Sequence, residues 1–214
     1  MVKERGVNWI RFGAWAGVVS LIVILISIFL PTISLLSVIA GGFVFFAFVK
    51  LGTKTEKGNF LKVMGYVGLF FVLLTFCISL VFSFGGINFI NAIGGEDFIN
   101  FVQESQTNPQ LAEQLNDPNF FQNNPETAER LVKSFVKILI FLFILVAVYV
   151  IFSILLGVAQ LKISKKIRYA KVTGILNIVG GATTIILIGV PVLIVARVFE
   201  IMMLFEASKV KGKK

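Results

Sequence analysis

Arg197 and Glu200 are the residues of this chain best placed to do chemistry. Both interrupt a long apolar run, residues 172–205, and their i,i+3 spacing puts them on one helix face, where they can pair. Glu200 falls about 14 Å past Pro191 along a helix, and so near the middle of a membrane. A charge there costs about 2.5–3.5 kcal/mol on insertion scales, so it needs a partner or a purpose. The purpose would be a proton or ion relay, or a docking point for a partner helix. A partner alone would make a self-satisfied ion pair facing a helix bundle. Gln160, Asn177, Thr183 and Thr184 are the other polar groups in or near apolar runs. Such groups hydrogen-bond to neighbouring helices or line a solute path. Gly180-Gly181 either admits a close helix neighbour or breaks a helix, as at the binding sites of some transporters. Arg197, Glu200, Asn177, Gly180 and Gly181 are the candidate polar site.

Other chemistry is excluded by residue type. The chain has no histidine, which removes His-based metal ligation and His general acid–base catalysis. Its one cysteine, Cys77, lies in an apolar run and can form neither an intrachain disulfide nor a thiolate cluster. No phosphate loop, nucleophile elbow or pair of intramembrane carboxylates is present. No catalytic residue, metal or cofactor is therefore expected, and the chain reads as non-enzymatic. A net charge of +9 would suggest nucleic acid in a soluble protein. Here the bases sit in short loops beside apolar runs, where they set membrane orientation and can meet anionic lipid. Nucleic acid is not an expected partner.

The elements that must position these residues are membrane helices. The 214 residues are 57% hydrophobic and 14% charged, with mean hydropathy +0.93; soluble domains carry about 25% charged residues. The first apolar stretch, residues 12–49, would be about 57 Å long as one helix against a hydrocarbon core of about 30 Å. It should fold back at Leu30-Pro31-Thr32, because Pro31 cannot donate a backbone hydrogen bond and disfavours helix at Leu30. A secretory signal is the competing reading of this stretch, with Val38-Ile39-Ala40 as cleavage site, but its apolar region far exceeds the usual length of about 7–15 residues. The last stretch, too long for one perpendicular span, should turn at Gly189-Val190-Pro191.

The expected fold is an all-α polytopic bundle of six transmembrane helices. Residues 1–84 hold spans at about 12–30, 32–49 and 63–84; residues 132–214 hold spans at about 138–161, 172–189 and 191–207, then a basic tail. This layout places the N-terminus, the loop from Lys50 to Lys62, the loop from Lys162 to Lys171 and the tail on one side, with most of the 20 basic residues. Positive charge marks that side as cytoplasmic. Four spans would split the basic regions between faces. Residues 85–131 then form an extracytoplasmic insert carrying seven acids and one base, Arg130. Its Asn108-Pro109 and Asn124-Pro125 pairs signal helix starts. The helix from Pro125 should run unbroken into the fourth span. Residues 87–103 have helical apolar spacing interrupted by Gly94-Gly95. The two end hairpins (Gly17, Pro31, Lys50 and Gly174, Pro191, Lys209) fit a parallel repeat. Trp9 and Trp15 read as interfacial anchors. Gly13 with Gly17, Gly41-Gly42 and Gly65 with Gly68 read as close-packing positions.

The closing segment, from Lys171-Val-Thr-Gly-Ile-Leu-Asn-Ile-Val-Gly-Gly-Ala through Val190-Pro191 to the Lys-rich tail, resembles the last helices of small prokaryotic polytopic membrane families of unknown function. The resemblance implies a bacterial or archaeal inner-membrane protein and carries over no functional residue. The expected role is an accessory or scaffold subunit acting through helix packing and its acidic external segment. Its partners would be the lipid bilayer and a membrane protein or a second copy of the chain. The alternative is a small-solute or ion transporter or channel component using Arg197 and Glu200.

Overall fold

Apolar runs of spanning length satisfy their own backbone polar groups within a single segment only as an α-helix. A computed structural model describes residues 8–27, 34–90, 94–184 and 188–209. Among these residues the secondary structure is helical and free of strands. The elements are α1 (Trp9–Ser27), α2 (Ser34–Lys54), α3 (Asn59–Ile90), α4 (Glu96–Thr107), α5 (Pro109–Gln114), α6 (Phe120–Asn123), α7 (Pro125–Ile163), α8 (Ala170–Thr183) and α9 (Gly189–Ala207). The chain divides into two units, one of Met1–Ile78 with Val148–Lys214 and one of Ser79–Ala147; the divisions fall within α3 and α7.

In the first unit α1 packs on α2, α8 on α9, and α1 on α9. The core is densest where these helices meet the basic loops. Ile10, Phe48, Leu61, Ile163, Met203 and Leu204 are almost fully buried there. Two contacts fasten the same end. Lys166 Nζ lies 2.7 Å from Glu56 Oε2, joining the α7–α8 and α2–α3 loops. Asn8 Nδ2 donates to the Ser208 carbonyl at 3.1 Å, joining the start of α1 to the end of α9. Glycines let the helices close up: a Cβ at Gly65 would sit 2.8 Å from Val49 N, and one at Gly17 would sit 2.8 Å from Ile201 Cγ1. The helices also present large apolar side chains outward, among them Trp15, Phe70, Leu73 and Ile151. Such surface is a liability in water and suits a bilayer.

The second unit holds the acidic insert. Asn108 caps α5, its Oδ1 accepting from Gln110 N at 3.1 Å and Leu111 N at 3.4 Å, with Pro109 opening the helix. Pro125 opens α7 in the same way, and α7 continues without a break to Ile163. The interruption expected at Gly94-Gly95 lies between two helices: α3 ends at Ile90, residues 91–93 lie outside the described residues, and α4 starts at Glu96. Gly94 has φ +87°, which a residue with a side chain rarely adopts, and a Cβ there would meet Lys137 Cδ at 2.6 Å. The Ser134 hydroxyl donates to Asp97 Oδ2 at 3.4 Å, tying α7 to α4.

Among the described residues three helices are long and apolar enough to cross a membrane: α2, α3 and α7, over Leu35–Lys54, Asn59–Ser79 and Pro125–Ile163. The count of six spans is not reached on length and composition. The apolar part of α1, Trp9–Ile24, is shorter, α8 has 14 residues, and α9 carries Arg197, Glu200 and Glu206 within its 19. The turn expected at Gly189-Val190-Pro191 also shifts. These residues form the first turn of α9, where a proline costs no helical hydrogen bond, so the break precedes Gly189. The turn expected at Leu30-Pro31-Thr32 lies outside the described residues.

Candidate functional site: a buried polar cluster beside a cavity

Glycine brings the polar residues within reach of one another. A Cβ on Gly157 of α7 would stand 2.5 Å from the Gly174 carbonyl oxygen, and one on Gly174 of α8 would stand 2.7 Å from that of Gly157. The two backbones are therefore in direct contact. One turn further along α8, the short side chain of Asn177 reaches Gln160 on α7. Gly181 continues this face, with Ser153 Cβ 3.0 Å from where its own Cβ would be. Gly180 faces the other way, toward Leu193 of α9.

Glu200 is the centre of the cluster. Its Oε1 accepts from Gln160 Nε2 at 3.1 Å and from Asn177 Nδ2 at 2.9 Å. Its Oε2 accepts from Arg197 Nη1 at 2.7 Å. Asn177 Nδ2 also donates to Gln160 Oε1 at 2.8 Å, which closes a ring of three side chains from three helices. The Ser153 hydroxyl donates to the Asn177 carbonyl at 3.0 Å. Gln160, Glu200 and Asn177 are 0%, 2% and 5% exposed, so these bonds are made away from solvent. A charged acceptor makes them stronger than neutral bonds, and leaving any donor unpaired would be costly.

Arg197 is set differently. Its side chain keeps 21% exposure against 3% for Glu200. Its guanidinium carbon lies 5.9 Å from the Phe45 ring centroid, and its Nη2 approaches Gly41 of α2. Arg197, Glu200, Asn177 and Ser153 form the polar end of a half-open cavity of about 410 Å³. Most of the remaining wall is apolar, with Leu21 and Ile24 from α1, Phe152 and Leu156 from α7, and Leu193 and Ile194 from α9, and the hydroxyl-bearing Tyr149 and Thr184 complete it.

The structure thus brings Arg197, Glu200 and Asn177 of the candidate site together. Gly180 and Gly181 take part as packing surfaces, and α8 runs through both without a break. Thr183 and Thr184 hydroxyls bond to the carbonyls of Val179 and Gly180 on their own helix, although Thr184 also borders the cavity. Gln160, noted in the sequence only as a polar residue near a span, is a full member of the cluster. Ser153 was not singled out. Their seven-residue separation on one helix face was the available signal. No group of three or more His, Cys, Asp and Glu placed to hold a metal occurs among the described residues.

Comparison with protein-family models, with curated proteins and with solved structures finds no match to this chain.

Proposed function

We propose that this chain is a six-span inner-membrane protein with cytoplasmic termini and an extracytoplasmic acidic insert, working as a non-catalytic accessory or scaffold subunit. The observation that carries the reading is the closure of the Glu200 cluster. Both carboxylate oxygens are bonded within the bundle, which supports a structural role for the charge: it holds α7, α8 and α9 in register. The Lys166–Glu56 and Asn8–Ser208 contacts support the layout, because they draw basic segments of the chain to one end. A membrane-protein partner or a second copy would meet the outward apolar faces. The cavity favours a second reading, a small-solute or ion path with Arg197 and Glu200 on its wall.

Cysteine accessibility separates the two. In a Cys77→Ser background, single cysteines replace Lys54, Glu113, Ile188 and Lys209, with Ser153 as the cavity reporter. Ile188 is used rather than Gly189, because a Cβ at Gly189 would collide with the Gly180 carbonyl. The scaffold reading expects cytoplasmic labelling of Lys54→Cys and Lys209→Cys, external labelling of Glu113→Cys and Ile188→Cys, and protection of Ser153→Cys. Labelling of Ser153→Cys by a small aqueous thiol reagent would replace the scaffold with the solute path. Cytoplasmic labelling of Ile188→Cys would remove the second hairpin.

A further inference from the structure

Arg197 has five N–H donors, and the bond to Glu200 uses one. Its Nε and Nη2 make no hydrogen bond to a described residue, yet the group borders a cavity whose walls are mostly apolar. Donors facing such a space call for an acceptor. Charge decides which kind. Arg197 and Glu200 already neutralise each other at 2.7 Å, so an anion would leave an uncompensated charge in an apolar enclosure, whereas a neutral oxygen would not.

The rim decides the route. Ile24, Val190 and Ile194 border the cavity and are 42%, 46% and 46% exposed. An apolar, outward-facing rim admits molecules dissolved in the hydrocarbon phase more readily than hydrated solutes. From Val190 to Glu200 the cavity follows α9 for about 15 Å at the helical rise. Its volume of about 410 Å³ lies within the usual range of ligand sites, about 300–1,000 Å³.

We propose that this cavity binds an uncharged single-chain lipid, whose carbonyl-type oxygen accepts hydrogen bonds from the unpaired Arg197 N–H groups while its hydrocarbon chain lies between α1, α7 and α9. The proposal goes beyond the scaffold reading and needs only that the chain resides in a membrane. It would hold whether the protein crosses the bilayer six times or fewer.

The test uses the full chain purified in dodecyl maltoside and incubated with monoolein, a neutral lipid with one ester carbonyl. Lipid retained through gel filtration is counted by mass spectrometry. About one monoolein per chain is expected. Ile194→Trp, which narrows the cavity while leaving every donor and acceptor of the polar cluster in place, should lower retention at least tenfold. Arg197→Met/Glu200→Gln, which removes the donors together with the counter-charge, should do the same. Each variant is first checked for an unchanged helical circular dichroism spectrum, and if the double variant does not fold, Ile194→Trp decides alone. Octadecane, which has no acceptor, should be retained at least tenfold less than monoolein. Failure to retain monoolein, equal retention by Ile194→Trp or of octadecane, or tighter retention of oleate at neutral pH would each overturn the proposal.

Discussion

Removing Arg197 should damage the protein more than removing Arg197 and the charge of Glu200 together. In Arg197→Met, Glu200 stays 3% exposed at its side chain and keeps two amide donors, but no cation remains to balance it. As a hydrogen bond alone, the lost contact would be worth about 0.6 kcal/mol, the average inside membranes. The stranded charge is the larger effect, since breaking a buried ion pair from one side costs about 3–5 kcal/mol. Glu200→Gln leaves the cation on Arg197, whose 21% exposure allows it some relief, so about 1–2 kcal/mol is expected. In Arg197→Met/Glu200→Gln no charge remains and the amides of Asn177 and Gln160 still have an oxygen to meet. The double variant should therefore be more stable than Arg197→Met, with a coupling of about 2 kcal/mol or more. Reversible unfolding of the full chain by sodium dodecyl sulfate in mixed micelles, followed by circular dichroism, measures all four forms. Simple addition of the two single losses would refute the reasoning.

Other substitutions probe the packing and the insert. Gly157→Ala places a methyl 2.5 Å from the Gly174 carbonyl and must push α8 off α7, costing about 1–3 kcal/mol by the same unfolding assay; Gly41→Ala, whose new methyl would be 3.8 Å from Arg197 Nη2, should be tolerated. Asn108→Ala removes the cap of α5 and should lower local stability by about 1 kcal/mol, seen as faster amide exchange at Gln110 and Leu111. Lys166 beside Glu56 holds its carboxyl below the usual carboxylate value by a hydrogen bond and by charge. The folded value is the lower one, so this contact contributes above the unfolded value near 4.5 and fades as pH falls through the folded value. Lys166→Ala should bring the Glu56 titration, followed by carboxyl NMR, back up toward 4.5.

How much of this was legible in the sequence depends on the kind of signal. Helix as the single element type followed from unbroken apolar runs, and the Asn-Pro pairs at 108–109 and 124–125 marked two starts that the structure has. The pairing of Arg197 with Glu200 was local, an i,i+3 relation on one helix. Gln160 and Asn177 were visible as polar residues, but their meeting with Glu200 depends on how α7, α8 and α9 approach. That approach is set by glycines, whose composition signal is weak in a chain with 19 of them. The misplaced turn at Pro191 has a plain cause. A proline in the first turn of a helix removes no intrahelical hydrogen bond, so Pro191, the third residue of α9, belongs to the start of that helix rather than separating it from α8.

The order in which the cluster members occur along the chain bears on how the protein is made. Gln160 and Asn177 leave the ribosome before Glu200 does, and Arg197 just before it. The helix that brings Arg197 and Glu200 to the cluster is therefore synthesised after α7 and α8. If α9 enters the membrane as proposed, the donors for its carboxylate are by then displayed by α7 and α8. A permuted chain, with α9 placed first, would offer the same contacts when folded but would present its charges to an empty bilayer during synthesis. Biosynthetic yield should then respond to the order of the helices even where final stability does not.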